Sequence, residues 1–178
     1  MTLVLLLGGA RSGKSDTAVR LAAAQAAPVT LVATAQAGDD EMAQRIARHQ
    51  RERPDTWTTI EEPLELEAAI ARAAPADALI LDCLTLWTAN LLAGSEPAAV
   101  EARAGAAAAA AARRPGLTIA ISNEVGQGIV PGNELARRYR DLLGRVNAIW
   151  AAAADHAYLL VAGRALALAP VDRLLEAR

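Results

Sequence analysis

Phenylalanine is absent from this chain of 178 residues, which contains only three tryptophans and two tyrosines. Leucine, valine, isoleucine and alanine must therefore fill most of the interior. The one cysteine, Cys83, excludes an internal disulfide framework and the cysteine clusters of structural zinc sites. It lies in an apolar run, which favours a buried and inert thiol.

Long apolar runs and a strong charge imbalance are also lacking. No apolar stretch reaches the roughly 18 residues that a membrane span requires. Residues 1–7 are apolar but lack a basic segment and lead directly into a glycine-rich loop, so we expect a first strand rather than a signal peptide. The formal net charge of −2 gives no general attraction to nucleic acid or to anionic membranes. We therefore expect a soluble, cytoplasmic protein without a nucleic-acid partner.

Short apolar segments alternate with helical patterns along the chain. Strands are predicted at about 3–7, 29–34, 78–82, 117–122 and 157–162, and helices at about 14–26, 40–53, 63–73, 97–113 and 133–154. Long connections between the strands predict an α/β fold with a mainly parallel sheet covered by helices on both faces. We expect residues 1–178 to form a single P-loop domain, because this length suffices for one sizeable core.

A glycine-rich loop follows the first predicted strand. Residues 8–15, Gly-Gly-Ala-Arg-Ser-Gly-Lys-Ser, have the spacing G-x-x-x-x-G-K-S of a phosphate-binding loop. Glycine lets the backbone turn tightly, so that N–H groups converge on phosphate oxygens, and the following helix adds its positive N-terminal end. We expect Lys14 to contact the β- and γ-phosphates and the Ser15 hydroxyl to bind Mg²⁺.

Lys14 is the only lysine, since the other basic residues of the 18 are all arginine. A chain that otherwise uses arginine thus has lysine at the one position where a compact point charge is required. The composition also excludes a switch GTPase of the usual kind, because the guanine-reading motif Asn-Lys-x-Asp needs a second lysine. The small size favours a kinase-like transferase.

Asp82 ends the apolar run Ala-Leu-Ile-Leu-Asp. A carboxylate at the carboxyl end of a buried strand beside a phosphate loop can hold Mg²⁺, directly or through water. The alternative is an aspartate that caps a helix or stabilises a turn. Glu124, after another predicted strand, is a weaker candidate for the same cleft.

The segment 39–53, which contains the helix predicted at about 40–53, begins with acidic and ends with basic residues, as the helix dipole favours. His49 shares one face of this helix with Met42 and Ile46. Four arginines suited to phosphate surround it, namely Arg45, Arg48, Arg51 and Arg53. The residues alone leave two interpretations open, a structural histidine and a nucleophile that attacks an α-phosphorus. His156 has no such neighbours and is predicted to be structural.

Six stretches together resemble one enzyme family, the bifunctional adenosylcobinamide kinase / adenosylcobinamide-phosphate guanylyltransferase. They are Gly-Gly-Ala-Arg-Ser-Gly-Lys-Ser at 8–15, Ala-Thr-Ala at 33–35, Asp-Asp-Glu-Met with Arg-Ile and His at 39–49, Leu-Asp-Cys-Leu-Thr-Leu-Trp at 81–87 with Asn90, Asn-Glu-Val-Gly with Gly-Ile-Val-Pro at 123–131, and Leu-Ala-Arg-Arg-Tyr-Arg-Asp at 135–141 with Gly144 and Arg145. The resemblance extends from the first strand to about Leu168. The Asn-Glu-Val-Gly block is far more specific than the phosphate loop.

The resemblance implies two reactions in cobalamin biosynthesis. The family phosphorylates the aminopropanol hydroxyl of adenosylcobinamide with ATP or GTP. It then transfers GMP from GTP to adenosylcobinamide phosphate through a guanylylated histidine, which corresponds to His49, and releases pyrophosphate. The resemblance also implies a RecA-like fold and assembly into trimers.

The nucleotide contacts implied by the resemblance fall on the phosphate loop, on the end of the second strand, around His49, and on two acidic residues. They are Gly8, Gly9, Ala10, Arg11, Ser12, Gly13, Lys14, Ser15, Ala33, Thr34, Ala35, Gln50, Arg51, Glu52, Arg53, Glu61 and Asp82. Catalysis would rest on His49 and Lys14, and Ser15 and Asp82 would hold Mg²⁺. Two positions depart from the family pattern, since Gly132 stands where a glutamate is expected and Gln127 where methionine is common.

Two rival functions fit parts of the same sequence. A monofunctional small-molecule kinase would use the phosphate loop, and His49 would only pack. A non-catalytic regulatory protein would bind nucleotide without a phosphoryl acceptor, which leaves the cluster of arginines around His49 without a purpose. The segment after Pro170, Val-Asp-Arg-Leu-Leu-Glu-Ala-Arg, has the pattern of a short amphipathic helix.

Overall fold

A computed structural model describes residues 1–51 and 53–172, without the side chains of Glu41, Met42, Arg45 and His49. Seven strands and six helices follow one another in this part of the chain. The strands are β1 Thr2–Gly8, β2 Val29–Ala33, β3 Thr58–Glu61, β4 Ala78–Asp82, β5 Leu117–Ile121, β6 His156–Val161 and β7 Arg164–Leu168. The helices are α1 Lys14–Ala23, α2 Asp40–Arg51, α3 Leu66–Arg72, α4 Leu84–Leu92, α5 Pro97–Ala112 and α6 Glu134–Ala153.

The strands form one sheet in the order β3-β2-β4-β5-β1-β6-β7. Strands β1 to β6 are all parallel to one another, and the connections between them are long enough to cross the sheet. Strand β7 is antiparallel to β6 and follows it through a tight turn at Ala162 and Gly163, which both have positive φ. The predicted α/β fold with a mainly parallel sheet is confirmed.

Apolar side chains on both faces of the sheet are covered by helices. One face packs against α3, α4, α5 and α6, where Trp87 and Trp150 are fully buried. The other face packs against Ala18 and Ala22 of α1. Helix α5 contributes mainly alanines to the core, and their small side chains let the helix approach its neighbours closely.

Within the described residues, no helix is long and apolar enough to cross a membrane.

All five predicted strands and all five predicted helices are present, with ends that differ by a few residues. Three elements were not predicted, namely β3, α4 and β7. The short helix expected after Pro170 falls mostly on residues 173–178, which lie outside the described part of the chain.

Candidate functional site

Three of the predicted site residues, Ala33, Glu61 and Asp82, lie at the edge where the parallel strands end. Backbone pairing aligns Glu61 with Ala33, and Ala33 with Asp82, across three neighbouring strands. Asp82 is in turn aligned with Ile121 of β5, which is aligned with Leu6 of β1, just before the phosphate loop. Ligands of open α/β sheets bind outside this edge, so the fold places these segments where a nucleotide would be expected.

The phosphate loop connects β1 to α1 with a backbone that glycine makes possible. Gly8 has φ of 150° and Gly13 has φ of 97°, and Gly13 occupies the N-cap position of α1. Arg11, at the tip, also has a positive φ of 56°. The N-terminal end of α1, with its partial positive charge, therefore lies at the loop, which suits an anionic ligand.

Lys14 is buried at the start of α1, with only 7% of its surface exposed. Its ammonium group donates to the carbonyl oxygens of Gly8 (2.9 Å) and Gly9 (2.7 Å), and it lies 3.4 Å from the Ser12 hydroxyl. These contacts hold the positive charge inside the loop. A phosphate oxygen that enters the loop can accept a hydrogen bond from the same ammonium group.

We expect Gly8→Ala to lower the free energy of unfolding by about 1–3 kcal/mol, because a methyl group there has no room. A Cβ atom at Gly8 would overlap the carbonyl oxygen of Leu160 on the neighbouring strand β6. The matched control is Gly9→Ala, since a Cβ atom at Gly9 meets no atom within 4 Å. Urea unfolding of both variants measures the difference, and equal midpoints for the two would contradict the packing seen at Gly8.

The turn between β6 and β7 supports the phosphate loop from outside. The N–H of Gly163 donates to the carbonyl oxygen of Ser12 at 2.9 Å. A Cβ atom added to Gly13 would lie 3.2 Å from the Cα atom of Gly163, so the two backbones are in close contact. This role of Gly163 was not predicted from the sequence. The only local signal is a pair of small residues between two β-prone segments.

Thr34 holds the end of β2 to the end of β4. Its hydroxyl accepts from the N–H of Cys83 (2.9 Å) and donates to the carbonyl oxygen of Cys83 (2.7 Å). Its carbonyl oxygen accepts from the amide of Asn90 at 2.8 Å, and the side chain is fully buried. Within the segment 33–35, Ala35 is the residue that remains partly exposed to a ligand.

Cys83 follows Asp82 directly, and burial, reinforced by the negative charge of Asp82, raises the pKa of its thiol from 9.0 to about 11. The thiol is therefore protonated at neutral pH and is not a nucleophile. Because the folded pKa is raised, the stability that this thiol contributes is present below pH 9.0 and is lost as the pH rises through about 11.

We expect a thiol reagent at pH 8 to label the native protein about 100-fold more slowly than the unfolded protein, since a shift of two pKa units lowers the thiolate fraction to that extent. The chain has one cysteine, so a single modification reports on Cys83. Labelling in denaturant gives the reference rate. If the native protein were labelled at the reference rate, the raised pKa of the Cys83 thiol would be contradicted.

The ends of α2 and β3 are joined by a pair of predicted site residues. The amide of Gln50 donates to the carboxylate of Glu61 at 2.6 Å. Arg51 is exposed and Arg53 is partly exposed beside this pair. The position of Glu61 at the carboxyl edge of the sheet therefore places the end of α2 near that edge as well.

His49 belongs to helix α2, but its side chain lies outside the described part of the structure. The same holds for the side chain of Arg45 and for the whole of Glu52. The predicted roles of these residues remain predictions. Residue His156, in contrast, is exposed at the start of β6, where its ring lies 6.4 Å from that of Tyr158.

The segment after β5 is fixed by a network of buried polar groups that the sequence analysis missed. The Asn147 side chain on α6 accepts from the Ser122 hydroxyl (2.6 Å) and donates to the carbonyl oxygen of Asn123 (3.0 Å). The N–H of Asn123 donates to the Thr85 hydroxyl at 2.7 Å. Buried polar groups of this kind are costly to leave without partners, so the network fixes the path of the chain.

Tyr139 completes this network from α6. Its hydroxyl donates to the carbonyl oxygen of Thr85 at 3.1 Å, and burial raises the pKa of Tyr139 well above its usual range. The group therefore remains a hydrogen-bond donor at all physiological pH values. The sequence carries one signal for the network, which is the polar Asn147 on the buried face of α6 beside Val146 and Trp150.

Glu124, the weaker acidic candidate, lies next to the phosphate loop. Its N–H donates to the carbonyl oxygen of Gly8 at 3.1 Å. Its carboxylate accepts from the N–H of Gly126 at 2.5 Å and is therefore turned toward its own loop. The backbone of Glu124 thus lies at the predicted cleft, while its carboxylate is bonded to Gly126 of its own loop.

Comparisons with known proteins agree with this geometry. The bifunctional adenosylcobalamin biosynthesis protein CobP of Pseudomonas aeruginosa is 46% identical over 160 residues, which cover 89% of this chain and 92% of the relative. The proteins of the same description named CobU in Salmonella typhimurium and Escherichia coli are 43% and 39% identical over 175 residues, with 90% of this chain and 96% of each relative covered.

Solved structures show the fold at much lower identity. An ATPase of a bacterial type III secretion system superimposes with a TM-score of 0.56 at 14% identity and covers 90% of this chain and 51% of that one. A protein from Pyrococcus horikoshii gives a TM-score of 0.56 at 6% identity and covers 93% of this chain and 85% of that one. Both likenesses support the predicted RecA-like P-loop fold.

A family model described as cobinamide kinase / cobinamide phosphate guanyltransferase matches residues 4–168. This match and the relatives above confirm the resemblance seen in the sequence. They also agree with the phosphate loop and the buried Lys14 at the carboxyl edge of the sheet. The chain therefore belongs to the cobinamide kinase / cobinamide phosphate guanyltransferase family.

Proposed function

We propose that this chain catalyses both reactions of its family. It phosphorylates the aminopropanol hydroxyl of adenosylcobinamide with ATP or GTP, and then transfers GMP from GTP to the new phosphate. The observation that carries the proposal is the phosphate loop with its buried lysine, in a chain that matches this family over residues 4–168. The product of the second reaction is adenosylcobinamide-GDP, and pyrophosphate is released.

The loop holds the triphosphate in this proposal. Backbone N–H groups between Gly8 and Ser15 bind phosphate oxygens, and the ammonium group of Lys14 exchanges a carbonyl partner for an oxygen of the β- or γ-phosphate. Both reactions involve charged transition states, so positioning and charge stabilisation supply most of the catalysis. Arg11 at the tip of the loop adds a further cation.

The donor set at the site fits Mg²⁺. Ser15 and Asp82 are both partly buried and offer a hydroxyl and a carboxylate. Among the side chains that the structure describes, no group of three or more His, Cys, Asp or Glu is placed to hold a metal ion. Mg²⁺ commonly binds through one or two protein ligands together with substrate phosphates and water, so two residues suffice. When bound, it neutralises charge on the phosphate oxygens.

His49 is the nucleophile of the second reaction in this proposal. A nitrogen of its neutral imidazole attacks the α-phosphorus of GTP, a P–N bond forms, and pyrophosphate leaves. A phosphate oxygen of adenosylcobinamide phosphate then attacks the same phosphorus, and the P–N bond breaks to restore the histidine. Arginines at positions 48, 51 and 53 stabilise the negative charge that develops.

The remaining implied contacts surround the nucleotide. The segment 33–35 and the Gln50–Glu61 pair lie at or near the carboxyl edge, and Glu52 belongs to the same segment as Gln50. We include all of them in the proposed nucleotide site. Assembly into trimers and a location in the cytoplasm, where ATP and GTP are available, complete the proposal.

Turnover with purified substrates tests this function against its rivals. We expect phosphorylation of adenosylcobinamide by ATP or GTP. We also expect GTP alone to release at most one pyrophosphate per active site, and sustained pyrophosphate release to require adenosylcobinamide phosphate as well. A monofunctional kinase would show only the first reaction. A non-catalytic regulatory protein would bind nucleotide and show neither.

A further inference from the structure

The loop between β5 and α6, residues 122–133, carries apolar side chains that face solvent. Ile129 is 97% exposed and Val130 is 61% exposed, and Val125 and Leu135 beside them are also exposed. Single exposed apolar residues are common on protein surfaces. Four of them within 11 residues, next to a nucleotide site, are a more specific feature.

This loop has a defined shape at both ends. At its start, Asn123 and Glu124 are bonded to Thr85 and to the phosphate loop at Gly8. At its end, the Arg137 guanidinium donates to the carbonyl oxygens of Pro131 (3.0 Å) and Gly132 (2.8 Å). The Asn133 side chain caps α6 by accepting from the N–H of Ala136 at 2.7 Å. The apolar side chains are therefore presented on a supported loop, which lowers the entropy cost of binding.

The loop 122–133 lies beside the path by which a phosphoryl acceptor would reach the proposed nucleotide site. Strand β5 lies between β1, which leads into the phosphate loop, and β4, which ends at Asp82. The loop after β5 therefore leaves the sheet between these two parts of the site. An acceptor that approaches the phosphate loop along this part of the sheet edge passes residues 122–133.

We propose that Val125, Ile129, Val130 and Leu135 form the surface on which the corrin macrocycle of the acceptor lies. This inference rests on the proposed function. A corrin ring offers broad faces with methyl groups and uncharged amide side chains. Residues 122–133 include one charged side chain, Glu124, whose carboxylate is engaged by Gly126. An apolar surface with so little charge suits such a ring and does not suit a polyphosphate.

The double substitution Ile129→Ser and Val130→Ser tests this surface. Both side chains are largely exposed, so the fold should be preserved. We expect the dissociation constant for adenosylcobinamide, measured by equilibrium dialysis from its visible absorbance, to rise about tenfold or more, because two apolar side chains lose their contact. The KM for adenosylcobinamide should rise in parallel, while the affinity for GTP remains within about twofold. The matched control is Leu166→Ser on β7, which is 62% exposed.

Each other outcome has a distinct meaning. Unchanged affinity for adenosylcobinamide in the double variant would overturn the docking surface alone. A weaker affinity accompanied by a smaller assembly in light scattering would show that a second copy of the chain covers these residues, and would also overturn it. If the unaltered protein binds adenosylcobinamide but does not phosphorylate it, the proposed function fails, and the docking surface stands only if the double variant binds adenosylcobinamide more weakly. If it does not bind adenosylcobinamide, both fail.

Discussion

Lys14→Met is expected to lower kcat of both the phosphorylation and the guanylyl transfer by about 10²–10³-fold, as for the loss of one charged donor from a preorganised site. In the proposed mechanism both reactions use a triphosphate held by this loop, and Lys14 is the buried cation inside the loop. Methionine keeps an unbranched side chain of similar length and removes the charge. Rates at saturating substrates measure the effect.

The control for this prediction is Arg20→Met, which removes a cation from the exposed last turn of the same helix. We expect Arg20→Met to retain nearly full activity. Thermal unfolding of Lys14→Met should show a folded protein, because the loop backbone is also supported by Gly163. A folded Lys14→Met variant with unchanged kcat would contradict the role of the loop in holding the triphosphate.

His49→Ala is expected to divide the two activities. Guanylyl transfer should fall by at least about 10³-fold, because removal of a nucleophile eliminates the covalent route. Phosphorylation of adenosylcobinamide needs no covalent intermediate and should remain within about threefold of the unaltered rate. The two rates are measured separately, by pyrophosphate release from GTP and by formation of adenosylcobinamide phosphate.

The chain offers a matched control in its other histidine. His156→Ala removes an exposed ring at the start of β6, and we expect both activities to be preserved. Parallel losses of both activities in His49→Ala would indicate a structural role for this residue. Full retention of both would show that His49 is not the nucleophile and would favour the interpretation in which it only packs.

Much of the fold could be predicted because the central strands are apolar on both faces. Segments such as 78–82 are buried almost throughout, so a short apolar run between helical patterns identifies them. Strand β3 has no such pattern, since Ile60 is its only partly buried residue. Strand β7 is exposed along its whole length, and its alanines and leucines are equally compatible with a helix.

Helix α4 was missed for a different reason. It begins at Leu84, two residues after β4 ends, and no glycine or proline marks the boundary. The apolar run therefore continues from strand into helix without a change that periodicity could detect. The prediction of α1, in contrast, followed from the fixed spacing of the phosphate loop.

In the candidate site, too, some residues could be predicted from local sequence patterns and others could not. The phosphate loop and Asp82 could be located because their spacing and strand context are local properties of the sequence. The contact of Gly163 with Ser12 joins residues about 150 positions apart, and only the tertiary structure brings them together. The buried bonds of Asn147 likewise depend on how α6 packs against β5. Local patterns contain no information about such partners.

The central claim, a guanylylated His49 in a chain that also phosphorylates adenosylcobinamide, is tested most directly with GTP labelled at the α-phosphorus. The unaltered protein and His156→Ala should acquire acid-labile label, and His49→Ala should acquire none. Addition of adenosylcobinamide phosphate should transfer the label from the protein to the corrinoid. No label on the unaltered protein, or label that survives in His49→Ala, would contradict the account.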